Sequence, residues 1–263
     1  MISGINPSFL SAFTFLGIAA GMLFFMEAGR WLKNRLLSQD AEAAKSGIGA
    51  VEGAVFSLIA LLIAFTFSGA ASRFQERRET AVKEANAIGT VWLRLDLLPS
   101  AVQPSLREKL HQYITARVAF DQVLPNVTAA KAEFNKSSSL QKQIWTEAIA
   151  DCRDSGSPSA TSMLLPAMND MFDLSTTRVM QALTHTPLLI YAILVFLVMG
   201  GSVLVGYGMG GSRRRNWFHS FAFVATITMA LYLILDFEFP SVGLIRLAPF
   251  EQALVNLQLN LQP

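Results

Sequence analysis

The sequence predicts an all-α membrane protein: four transmembrane helices, with a large helical extramembrane region between the second and the third. Three observations carry this. Stretches 7–26, 53–71, 187–211 and 217–235 are almost free of charge, and each has the roughly 20 residues a helix needs to cross a hydrocarbon core about 30 Å thick. Of the 263 residues, 52% are hydrophobic and only 15% charged, where a soluble domain carries about 25% charged residues. Between the second and third stretches, apolar residues recur mostly at the three-to-four spacing of a helix.

In order, residues 1–10 hold no Lys or Arg. The apolar run that includes them is longer than a leader's core, and no clean small-x-small cleavage site precedes Glu27. It reads as the first span rather than as a cleavable leader. A charged connector follows with Arg30, Lys33, Arg35, Asp40, Glu42 and Lys45. From Ile48 to Leu98 nothing breaks the helical pattern, a run of roughly 75 Å. Pro99 and Pro104 end it. Ser105 is the expected N-cap of the next helix, with Glu108 completing a capping box, and Leu106, Leu110, Tyr113, Ile114 and Val118 form its apolar face.

Pro125 and residues 131–139 interrupt the pattern. A further helix fits 140–152, and Asp154, Ser155, Gly156, Ser157 and Pro158 form a loop. The last polar helix fits 161–184, with Leu164, Met168, Met171, Leu174 and Met180 leaning one way and Pro166 in its first turns, where proline is best tolerated. Two long helices are expected to leave the membrane as a stalk, capped by two shorter ones. The domain organisation is then 1–71 as the first membrane pair, 72–186 as the helical region, and 187–263 as the second pair with its tail.

Several function classes find no support. A net charge of +2 without a basic, aromatic-interleaved stripe gives nucleic acid no purchase. The single cysteine, Cys152, allows no intramolecular disulfide and has no histidine nearby in sequence. His111, His185 and His219 share no metal-ligand spacing, and Asn169, Asp170 and Asp173 fit a solvated helix face. Gly206, Gly208 and Gly211 spell a dinucleotide fingerprint, but they end a helical span where that motif needs a strand before and a helix after. They read as a glycine-rich exit from the membrane. No catalytic residue, metal or cofactor is expected, and no enzymatic activity.

The second span is the most patterned. Gly49, Gly53, Ser57, Ala60, Ala64, Ser68 and Ala71 follow one another at steps of three or four on one face. Small residues let helix backbones approach in lipid, where little hydrophobic drive brings helices together. The face fits a buried contact within the four-helix bundle, a contact between copies, or a narrow pore wall. Leu58, Leu62 and Phe65 share another face and have the character of a gate that closes by dewetting. Glu52, an acid in the span's first turns, is either a functional group or one that reaches back to the interface. Asp236, at the membrane edge, either lines an entrance or ends the last span.

Orientation is divided. The two short links hold seven Lys and Arg, which places them in the cytoplasm and the helical region outside. Arg73, Arg77, Arg78 and Lys83 pull the other way.

Two blocks carry a resemblance. Ala64-Phe65-Thr66-Phe67-Ser68-Gly69-Ala70, followed by Arg73-Phe74 and Arg77-Arg78, resembles the start of the bestrophin-like domain family of bacterial membrane proteins. Glu84-Ala85-Asn86-Ala87-Ile88-Gly89-Thr90 with Leu93-Arg94-Leu95-Asp96-Leu97-Leu98-Pro99 is similar to its most distinctive block. Asp236, Pro240 and Gly243 also fit. The resemblance implies a bestrophin-like layout in a bacterial inner membrane, and a pentamer passing small ions, anions among them, along an axis lined by the second span. It also implies a cytoplasmic helical region, against the charge count. The chain departs from true bestrophins in lacking their aromatic-rich constriction motif and acidic calcium clasp. By its own chemistry the second block reads as an assembly element. Ala85 and Gly89 admit a neighbouring helix, and Glu84, Arg94 and Asp96 form ion pairs across helices. Two functions fit: a channel-like homo-oligomer, or a non-conducting scaffold or sensor whose helical region binds a partner.

Overall fold

The computed structural model describes residues 7–36, 48–210, 216–240, 244–245 and 248–261. Asp40, Glu42, Lys45, Gly211, Gly243 and the link residues Arg213, Arg214 and Arg215 lie outside them. Helix α1 is Pro7–Leu36, α2 Ile48–Arg94, α3 Gln103–Val123, α4 Val127–Asp154, α5 Pro158–Leu183, α6 Leu188–Met209, α7 Trp217–Glu238 and α8 Ala248–Asn260. A 3-10 turn, Leu95–Leu97, finishes α2. No strand occurs among the described residues, and four helices there are long and apolar enough to cross a membrane. The chain divides into two compact units, Ile2–Ser72 with Thr186–Ile245 and Arg73–His185 with Arg246–Pro263.

In the first unit α1, the start of α2, α6 and α7 enclose a core of Met22, Met26, Ile59, Ala70, Leu194, Val198, Val224, Leu231 and Ile234. Edge-on ring pairs bind it further, Phe56 with Phe223 at 6.0 Å and Phe67 with Phe237 at 5.6 Å. The tightest crossing joins α1 to α6. A methyl group on Gly206 would strike the Met26 carbonyl, and one on Gly29 would strike the Val203 carbonyl. Backbone touches backbone at both points, which only glycine permits. Gly206, in the last turn of α6, is thus a packing position as well as part of the span's glycine-rich end.

In the second unit the inner faces of α2, α3, α4 and α5 bury Ile88, Leu95, Leu106, Leu110, Tyr113, Ile144, Leu164 and Met168. The C-terminal helix α8, which the sequence groups with the last membrane pair, belongs here through fully buried Leu254. A Cβ added to Gly89 would meet Leu257 at 3.6 Å, so the helix admitted by that small residue is α8.

Three local expectations are corrected. Helix α3 begins at Gln103 after Val102, with Pro104 in its first turn, and Ser105 lies inside it. Proline presets the first helical turn and lacks a donor not needed there, so it starts the helix ahead of the serine. Helix α4 runs unbroken through residues 131–139, because the Asn126 side chain accepts from the Ala129 N–H and caps it early. Likewise Ser157 caps α5 through the Ala160 N–H, so the helix starts at Pro158 rather than at Thr161, and Pro166 lies about two turns in.

Candidate functional site

The outer surface of α2 is the first candidate. The 3.6-residue period turns Ile59 and Ile63 into the bundle, with Ile59 only 3% exposed. Gly49, Gly53, Ser57, Ala60, Ala64 and Ser68 all face outward, and Ala71 is half-buried. A Cβ on Gly49 or Gly53 would touch nothing, so this part of the small-residue stripe makes no contact inside the chain. Ser57 turns its hydroxyl back, donating to the Gly53 carbonyl at 2.8 Å. That satisfies its donor in an apolar setting without a second helix.

The remaining expected residues of this span divide. Leu58 and Phe65 are exposed, at 48% and 66%, alongside Val51 and Leu61. Leu62 instead packs against the bundle core. Glu52 lies toward the inward side, a heptad ahead of Ile59. Its Oε1 is buried with no hydrogen-bond partner among the described residues, near Gly208 of α6.

The second candidate is a buried charge cluster. Arg117 on α3 donates from Nε to Glu84 Oε1 at 2.6 Å and from Nη2 to Oε2 at 3.3 Å. Arg178 on α5 donates from Nη1 to Glu84 Oε2 at 2.7 Å and from Nη2 to Asp121 Oδ2 at 2.6 Å. Glu84 and Arg117 are fully buried. Two carboxylates against two guanidiniums leave the cluster neutral; the bidentate fork of Arg117 joins α3 to α2, and Arg178 ties α5 to both.

Burial pushes the Glu84 carboxyl up, but Arg117 and Arg178 together outweigh it and hold the group below its ordinary range. Burial also pushes the Asp121 carboxyl up, and there the single hydrogen-bonded guanidinium of Arg178 does not bring it back to its ordinary range. The two acids share Arg178 yet shift oppositely, because Arg117 closes its fork on Glu84 and reaches Asp121 only as a charge without a hydrogen bond. Tyr113, beside them, is pushed up to about 12 by burial and the Glu84 charge.

Of the residues expected to form ion pairs, Glu84 finds the cluster just described. Asp96 pairs with Arg107 of α3 at 2.5 Å, and that guanidinium also lies 4.5 Å from the centre of the Trp92 ring. Arg94 donates to the Met163 carbonyl of α5 at 2.6 Å. Glu84 and Asp96 thus form ion pairs across helices, with different cations, whereas the expected ion pair of Arg94 is corrected: its guanidinium is taken by a backbone carbonyl. Asp236, 4% exposed, accepts from the Leu244 and Ile245 N–H groups at 2.7 and 2.9 Å, so its carboxylate ties those two residues to the end of α7. Nearby, Glu238 accepts from the Thr186 N–H at 2.8 Å.

Sequence reasoning missed Arg117, Asp121 and Arg178. A signal existed: Arg117 continues the apolar face of Leu106, Leu110 and Tyr113, a place where a charge needs a buried partner. No group of three or more metal-ligating side chains occurs among the described residues.

A model of the bestrophin-like domain family matches residues 16–249. No curated protein matches significantly. Among solved structures, a bacterial bestrophin homologue from Klebsiella pneumoniae is similar at a TM-score of 0.67 and 16% identity, over 96% of this chain and 99% of that one. A point variant of a bacterial bestrophin homologue from the same organism gives 0.68 and 17%, over 95% and 98%. A crystal structure described as a membrane protein gives 0.69 and 16%, over 95% of both chains.

Proposed function

The chain belongs to the bestrophin-like domain family, and from that premise we propose that copies of it assemble in a bacterial inner membrane and pass small ions along an axis lined by α2. Family likeness favours a pentamer and anions. The four spans form the conduit, and residues 72–186 are the helical region joined to it through α2. The observation that carries the reading is the outward arc of α2. Its small-residue stripe lets a second copy approach closely, and the adjoining apolar side chains of Leu58, Leu61 and Phe65 supply a constriction that water leaves easily. Glu52 and Leu62 act from behind this arc.

In planar bilayers, Phe65→Ala and Leu58→Ala are expected to raise the current several-fold by widening and wetting the constriction. Glu52→Gln is expected to shift the reversal potential, since it removes one charge per copy. Gly53→Leu should break the oligomer in size-exclusion chromatography while the single chain stays helical. Electrical silence of the purified, folded oligomer would overturn the proposal. It would favour a non-conducting scaffold or sensor whose helical region binds a partner.

A further inference from the structure

We propose that the end of the membrane unit where α1 finishes and α7 begins binds the headgroup of an anionic phospholipid. Helices α1 and α7 pack antiparallel. Phe15 meets Tyr232 edge-on at 5.8 Å, and one turn or more along, Thr228 Oγ1 lies 3.6 Å from Met22 Sδ. Continued in the same sense, the pairing brings Trp31 of α1 and Trp217 of α7 to one end of the bundle. The Gly29 and Gly206 crossing brings the last turn of α6 there as well.

The side chains gathered at this end have the chemistry of a membrane–water interface. Trp31, Trp217 and Phe218 are 59%, 48% and 78% exposed, and an indole is most stable at headgroup depth, with its ring in the acyl region and its N–H in the wet layer. Cations sit beside aromatic rings at the ends of α1 and α6. The Arg35 guanidinium lies 5.1 Å from the centre of the Trp31 ring. The Lys33 ammonium lies 5.5 Å from the centre of the Tyr207 ring and donates to the Gly208 carbonyl at 3.2 Å. Its stem lies against Gly210, where any Cβ would crowd it, so the lysine is held in place rather than left to wave in solvent.

An ammonium fixed by a last-turn carbonyl, a guanidinium stacked on an indole, and exposed aromatics give this end of the bundle positive charge beside apolar surface. Free inorganic phosphate satisfies the cations but leaves the aromatics in water. A phospholipid with a net negative headgroup satisfies both. A zwitterionic lipid brings its own ammonium to the same spot and gains less. Lys and Arg near an anionic bilayer surface each add about fivefold to binding.

The test reconstitutes the full chain into vesicles of dibrominated phosphatidylglycerol and phosphatidylcholine in varied ratio and follows quenching of tryptophan emission. The wild type is expected to select phosphatidylglycerol by about tenfold or more, from two basic groups. Lys33→Gln with Arg35→Gln should bring the ratio close to one, and Lys33→Arg with Arg35→Lys should keep it. Absence of selection in the wild type, or selection that survives the double glutamine variant, would overturn the proposal. So would loss of selection on adding millimolar inorganic phosphate, which would mark a free-anion seat. The charge-keeping variant guards against a trivial folding defect, and the readout does not depend on whether the chain conducts.

Discussion

Replacing Gly206 with valine is expected to destabilise the membrane unit by about 3 kcal/mol or more, the upper range for overpacking a closed contact. The reason is the neighbour. The atom a Cβ would meet is the Met26 carbonyl of α1, part of a backbone that cannot rotate away as a side chain would. Helices α1 and α6 would have to separate, and the gap would run on to the place where Gly29 rests on Val203. Thermal unfolding in detergent, with size-exclusion chromatography for the fraction folded, measures the effect. Gly29→Val should match it, and the two together should cost less than their sum because both open one crossing. Gly200→Ala is the control: a Cβ there meets nothing, and stability should stay within about 0.5 kcal/mol.

Glu84→Ala is the second large effect, with an expected loss of about 3–5 kcal/mol, as for removal of one partner from a buried ion pair. It takes the carboxylate out of the Arg117 fork and leaves Arg178 its pair with Asp121. Glu79→Ala removes an exposed i,i+4 pair to Lys83 at 3.7 Å and should change stability by less than about 1 kcal/mol.

Acid gives an independent check. Glu84 titrates lower in the folded chain than in the unfolded one, so its contribution is complete above the ordinary carboxylate range and is lost as pH falls through the folded value. The gap in melting temperature between wild type and Glu84→Gln should close as pH drops below that range. Asp121, shifted upward, works with the opposite sign: stability from it declines as pH rises through its folded value. Asp121→Asn should therefore be far milder near neutrality than Glu84→Gln. Equal losses for both would show that the charges matter less than the shape of the side chains.

What could be read from the sequence follows the range of each interaction. Spans are legible because partition into lipid depends on composition within one segment. The unbroken passage of α2 is legible because no proline and no cluster of turn residues interrupts it. Helix starts are legible only where one cap competes. Ser105 loses to Val102 and Pro104, while Asn126 captures a helix whose composition reads as interrupted. The Glu84 cluster joins residues 33 and 94 positions apart, and nothing local names the partner of a buried acid. The Gly29 and Gly206 crossing is hidden for the same reason. By contrast the α2 stripe is visible in one segment, but what it faces is a property of neighbouring molecules.

The bond from Thr186 to Glu238 gives the last membrane pair an unusual closure. Helix α6 begins just after Thr186 and α7 ends at Glu238, which is fully buried and takes both the Thr186 N–H and its hydroxyl, at 2.8 and 3.3 Å. The peptide chain ties the two helices at their other ends. The pair is thus a ring with one covalent clasp and one made of hydrogen bonds, and severing the peptide between Gly210 and Asn216 would still leave the two halves of that ring fastened.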